Sequence, residues 1–199
     1  MQSNTLGASS LVDAFKQVEL LGATDWRERS TALHTLSQAG PAALDAIIGG
    51  TIHPNWRVRR GCADLMDHLA DARCTASLIS LLRDPIASVR RLAVHALSCQ
   101  GCKQCPLDID IVAHLNEVVA SDTSIRVRRV AVHQIGCQPP DDRAIATLRD
   151  LIRTETDRGI LSRAQWALMQ HDSKVVPAHP NEESRTQESA NRYTQEQVL

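Results

Sequence analysis

One short pattern returns five times along the chain, and it limits the possible folds more than any other feature. Val58-Arg59-Arg60-Gly61-Cys62, Val89-Arg90-Arg91-Leu92-Ala93 and Val127-Arg128-Arg129-Val130-Ala131 are three close copies. Glu28-Arg29-Ser30-Thr31-Ala32 and Ile160-Leu161-Ser162-Arg163-Ala164 are looser ones at the two ends. Aligned on their first residues, they stand 30, 31, 38 and 33 residues apart. A period in this range identifies a small supersecondary unit that cannot bury its apolar face alone and must stack on its neighbours.

Between the copies lie Leu/Ile-rich partner segments near 41–50, 73–83, 108–120 and 142–154. Ile111, Val112, Leu115, Val118 and Val119, for example, are spaced to form one helical face. Asp25 precedes one helical run and Gly40-Pro41 follows it, in keeping with their capping and helix-stopping roles. No segment sustains the period-2 alternation of a half-buried strand, so an all-α chain of short helix pairs is expected. The repeats fall at about 9–39, 40–70, 71–100, 107–138 and 140–171, within a domain of residues 9–171. A Cys-rich insertion at 99–106 lengthens one interval. Residues 1–8 are polar and expected to be a disordered N-terminus, and the Ser-, Asn-, Gln- and Glu-containing segment 172–199 is expected to be a disordered tail.

The run Asp84-Pro85-Ile86-Ala87-Ser88-Val89-Arg90-Arg91-Leu92-Ala93-Val94-His95-Ala96-Leu97 resembles a HEAT repeat, especially the short HEAT-like repeats of the phycobilisome-lyase type. The resemblance spans about residues 9–170 and implies a right-handed α-solenoid of five helix pairs. It also implies that the second helix of each pair lines the concave surface, and that Arg29, Arg59, Arg90 and Arg128 pair with acids of neighbouring repeats. The first repeat departs with Glu28 and the last with Leu161. Repeats of this type serve unrelated roles, so the resemblance bears on fold more than on function.

Numbering each copy from its first residue as 0, positions +3, +4, +7 and +8 are expected to be buried. Positions +2, +6, +9 and +10 then lie toward the far side or one flank. Arg60, Arg91 and Arg129 at +2, His95 and His133 at +6, and Trp166, also at +6, are the candidate contacts for a protein partner. Positions +6 and +10 of repeats three and four carry His95/Cys99 and His133/Cys137, each pair on one helix face.

The insertion adds Cys102 and Cys105, completing a C-x-x-C-x-x-C run from Cys99. Tetrahedral zinc takes about four nitrogen or sulfur ligands, often two to four residues apart on a turn. Cys99, Cys102, Cys105 and Cys137, with His95 or His133 as substitutes, are therefore the expected zinc ligands at the junction of repeats three and four. An iron–sulfur cluster is the lesser alternative, because the usual C-x₃-C-P continuation is missing. A redox thiol role, or no special role, is also open. Cys62 and Cys74 read as small core hydrophobes.

The net charge of −1 gives no global attraction to nucleic acid or an anionic membrane. A nucleic-acid module using Arg60, Arg91 and Arg129 is an alternative, disfavoured by scarce aromatics. No apolar stretch approaches the roughly 20 residues that span a bilayer, and no basic segment followed by an apolar run opens the chain. The expected setting is cytoplasmic, where thiols stay reduced. Catalysis has thin support: no His-Glu dipeptide, nucleophile elbow, P-loop or dinucleotide fingerprint occurs. The expectation is a non-catalytic scaffold or adaptor, with a lyase-like or redox protein as the enzymatic alternative.

Overall fold

The computed structural model describes residues 5–69, 71–99, 101 and 107–172. Cys102 and Cys105 of the expected zinc set, and the polar tail beyond Asp172, lie outside the described residues. Ten α-helices run in order: α1 Thr5–Leu20, α2 Trp26–Ala39, α3 Leu44–Gly50, α4 Trp56–Leu69, α5 Thr75–Leu81, α6 Ala87–Ser98, α7 Ile111–Ser121, α8 Ile125–Gly136, α9 Asp142–Thr154 and α10 Arg158–Asp172. Two short 3₁₀ turns precede α3 and α5, and no strand occurs among the described residues. The helices form five consecutive pairs, and the even-numbered members stack on one another as the inner layer.

Local chemistry sets the helix starts. Asp25 and Asp141 sit in extended backbone and accept hydrogen bonds from the first-turn N–H groups of Arg27 and Arg143. Such caps satisfy donors that a helix cannot pair internally. Gly40 ends α2 at φ +54°, a conformation that an L-residue with a Cβ adopts only under strain.

Close stacking of the inner layer follows from the repeated small residue at +4. Ala32, Cys62, Ala93, Ala131 and Ala164 are all fully buried, as are Val58, Val89, Val127 and Ile160 at position 0. The buried stripe differs from the expectation at one position. Ala63, Val94 and Val132 at +5 are fully buried, whereas Leu92 and Val130 at +3 are only half-buried. An inner helix packs on its outer partner and on both neighbouring inner helices, so its buried arc is wider than a single seam and turns away from the concave face. Val94 shows this directly, because it packs into the apolar cluster of the following repeats rather than with the rest of α6.

A ladder of arginines ties the repeats together, as the HEAT resemblance implies. Arg59 Nε donates to Asp84 Oδ2 at 2.6 Å and its Nη2 to Oδ1 at 3.1 Å. Arg90 repeats the fork on Asp122, at 2.7 and 2.9 Å. Arg128 pairs with Glu155 in the next repeat. The remaining guanidinium nitrogen is used too: Nη1 of Arg59 donates to the carbonyls of His53 and Pro54, and Nη1 of Arg90 to those of Asp84 and Pro85. Each guanidinium therefore closes its own turn while holding the next one, which needs its several donors in a rigid plane. In the first repeat Arg29 keeps the carbonyl contacts, to Ala23 and Thr24.

Candidate functional site

The concave side of the inner layer is a groove of about 800 Å³. It is built from helix positions −1, +2, +3 and +6, which follow one another up a single helix face. Position −1 contributes Arg57, Ser88 and Arg126; position +2 contributes Arg60, Arg91 and Arg129; position +3 contributes Gly61, Val130 and Arg163; position +6 contributes Asp64 and His133. This face explains why +3 is only half-buried. Seven arginines line the groove, counting Arg29, against the single acid Asp64. The chain as a whole carries −1, so the basicity is local to this surface.

Two indoles stand at one end of the groove. Trp26 is half exposed, and the Arg27 guanidinium lies 5.6 Å from its ring centre. Arg57 lies 5.0 Å from the ring centre of Trp56. Both tryptophans line the groove.

The expected contact residues divide. Arg60, Arg91, Arg129 and His133 line the groove; His95 and Trp166 are not part of its lining. Arg129 also forks onto Asp157 at 3.0 and 2.7 Å, so part of its charge is answered within the chain. Trp166 stacks on His133, with ring centres 4.7 Å apart and planes 20° from parallel. Burial lowers the His133 pKa, assisted by the nearby positive charges of Arg163 and His95.

A second constellation occupies the C-terminal ends of the inner helices. Cys99 follows the last residue of α6, and Cys137 the last residue of α8. Among the described residues, the one group of potential metal donors is Asp67, His95 and Cys99, whose ligand atoms all lie within 4.8 Å of one another. Asp67 comes from α4, so this group bridges repeats two and three. Cys137 Sγ lies 3.9 Å from His133 Nε2.

Within this group, His95 Nε2 stands 3.2 Å from Asp67 Oδ2, and Asp67 is buried. Burial alone would lower the His95 pKa. The hydrogen bonds and negative charges of Asp67 and Cys99 outweigh it and push the imidazole up to about 9. On the other ring face, Gln134 of α8 places Nε2 3.0 Å from His95 Nδ1, while its buried Oε1 has no hydrogen-bond partner among the described residues. Burial, together with the charge of Cys99, raises the Cys137 thiol to about 11. Cys62 and Cys74 are fully buried in the core.

Asp67 was not among the residues expected from the sequence. Its signal was present at position +9, where the other repeats carry Ser37, Ser98, Gly136 and Met169. One carboxylate in a column otherwise without charge is the trace that such a contact leaves.

No family model matches the sequence, and no curated protein matches it. Solved structures do. The complex of CpcE and CpcF of phycocyanin lyase from Nostoc sp. PCC7120 includes a chain 18% identical with a TM-score of 0.66, matched over 78% of this chain and 98% of that one. An engineered protein matches at 19% identity and a TM-score of 0.52, over 86% of this chain and 94% of its own. Human deoxyhypusine hydroxylase matches at 21% identity and a TM-score of 0.50, over 82% of this chain and 64% of that one. A lyase and a hydroxylase thus share the architecture with an engineered protein, and identities this low speak to architecture, not activity. With its five stacked helix pairs and its arginine ladder, the chain is a HEAT-like helical-repeat solenoid.

Proposed function

We propose that the chain is a non-catalytic scaffold that binds an acidic segment of a protein partner along its concave groove. The observation that carries this reading is the composition of that surface: seven arginines and His133 against one carboxylate, beside two indoles. Guanidinium groups form paired hydrogen bonds with carboxylates, and Trp and Arg are the residues that most often anchor protein interfaces. The solenoid supports the same reading, since stacked repeats create an extended concave surface. A reducing cytoplasm is the setting this reading assumes for Cys99 and Cys137.

Fluorescence anisotropy with a Glu-rich peptide, a Lys-rich peptide of equal length and a random-sequence DNA duplex tests it. The Glu-rich peptide is expected to bind at least about tenfold more tightly than either competitor, a difference of about 1.4 kcal/mol. Equal or tighter binding of the duplex assigns the groove to nucleic acid, and binding of none of the three removes the proposal.

A further inference from the structure

We infer that Asp67, His95 and Cys99 form a binding site for a zinc-like transition-metal ion, independent of the groove and shared between repeats two and three. Each residue supplies a different donor type: carboxylate oxygen, imidazole nitrogen and thiolate sulfur. A mixed oxygen, nitrogen and sulfur set suits Zn(II) or Co(II). Ca(II) and Mg(II) prefer all-oxygen shells, and Cu(I) prefers sulfur.

The distances are of the right size. Bonds of about 2.0–2.3 Å to a tetrahedral zinc place neighbouring ligand atoms about 3.3–3.8 Å apart. The Asp67–His95 edge is 3.2 Å, and all three atoms fall within 4.8 Å. The other two edges, at most 4.8 Å, exceed the tetrahedral range by no more than about 1 Å. His95 in the last turn of α6 and Cys99 just past its end are four residues apart, while Asp67 comes across from the end of α4.

Gln134 is the independent observation. A metal-bound imidazole donates its other N–H to an acceptor that fixes the ring. Gln134 already stands 3.0 Å from His95 Nδ1, and it is buried with an unpartnered Oε1. Turning the amide over, an exchange of two nearly isosteric groups, makes Oε1 accept from His95 Nδ1–H and places the amide NH2 where Oε1 stood. It leaves His95 Nε2, the nitrogen beside Asp67, for the ion. These three described ligands are one fewer than the four of a tetrahedral zinc site.

Titration of the full-length protein with Zn(II), and with Co(II) as a spectroscopic stand-in, under reducing conditions tests the site. One ion per chain is expected. Asp67→Asn, His95→Gln and Cys99→Ser should each weaken binding more than about 100-fold, and Gln134→Leu about 10–100-fold, the usual range for an orienting partner. Circular dichroism and cooperative unfolding establish that each variant is folded. If the buried Asp67→Asn chain does not fold, Cys99→Ser at its half-buried helix end, together with His95→Gln, gives the reading. The double variant Cys102→Ser/Cys105→Ser separates this site from one made by the insertion alone. Retained binding there supports the proposal, as does loss there alongside loss in Asp67→Asn or His95→Gln. Absence of binding, an iron–sulfur chromophore in the purified protein, or full affinity in both Asp67→Asn and His95→Gln overturns it.

Discussion

Arg90 of one repeat grips Asp122 of the next through two hydrogen bonds, Nε to Oδ2 at 2.7 Å and Nη2 to Oδ1 at 2.9 Å. Only 12% of the arginine side chain and 4% of the carboxylate side chain remain exposed. Removing one partner of a buried pair strands the other, at a cost of about 3–5 kcal/mol. Arg90→Met should lower the unfolding free energy by about that amount in urea denaturation. Arg90→Lys should recover little of it, because an ammonium cannot reach Asp122 and the carbonyls of Asp84 and Pro85 together.

The same pair predicts an acid limb in stability. Burial would raise the Asp122 pKa, but Arg90 and the Ser124 N–H outweigh it and hold the carboxyl below its ordinary value. The folded chain therefore takes up this proton less readily than the unfolded one. The contribution is complete above the ordinary carboxylate range and is lost as pH falls from about 4 through the depressed folded value. Denaturation midpoints measured between pH 6 and 3 should fall with acid in the native protein, with a shallower slope in Arg90→Met.

Two glycines on different helices should respond oppositely to alanine. A Cβ on Gly136 would stand 2.5 Å from the Trp166 ring and 2.8 Å from Ala167, where α8 meets α10. Gly136→Ala should destabilise by about 1–3 kcal/mol, the range for overpacking a tight core. A Cβ on Gly49 would make an ordinary 3.7 Å contact with Phe15. Gly49→Ala should stabilise by roughly 0.5–1 kcal/mol through reduced backbone entropy in the unfolded chain. Thermal denaturation of the two variants beside the native chain checks both signs.

Thiol chemistry should separate the cysteines by depth. Cys62 is fully buried and its thiol is pushed up to about 12 by that burial, and Cys74 is almost as deep. Cys99 and Cys137 are half-buried at helix ends. Alkylation of the native chain, read by peptide mass spectrometry, should modify Cys99 first and Cys137 more slowly, because its thiol is raised to about 11, and leave Cys62 and Cys74 unmodified until denaturant is added. Early modification of Cys62 would contradict its place in the core.

The fold and the arginine ladder were largely legible before the structure, because both are written in register. A valine, an arginine and an alanine at fixed offsets occupy equivalent places in successive helices, so one repeat predicts the next. The contact between Asp67 and His95 was not legible, because it joins position +9 of one repeat to +6 of the following one and occurs once. Cys99 was expected to reach toward Cys137 on the strength of matching columns. It also gathers with a carboxylate from the repeat before it, which those columns do not show. The misplacement of +3 had a related cause: a helix wheel weighs one helix alone, whereas the inner layer buries each helix on three sides.

We propose that the arginine-lined groove recognises acidic protein segments by charge. Arg57 and Arg126 are both exposed and lie on that surface, so their reversal tests charge with little disturbance of packing. The direct measurement is the affinity of a Glu-rich peptide for the native chain and for Arg57→Glu/Arg126→Glu, each at low and at physiological salt. The account predicts that reversal weakens binding by at least about tenfold, roughly 1.4 kcal/mol, and that the native affinity falls as salt rises. Unchanged affinity in a folded double variant would contradict it.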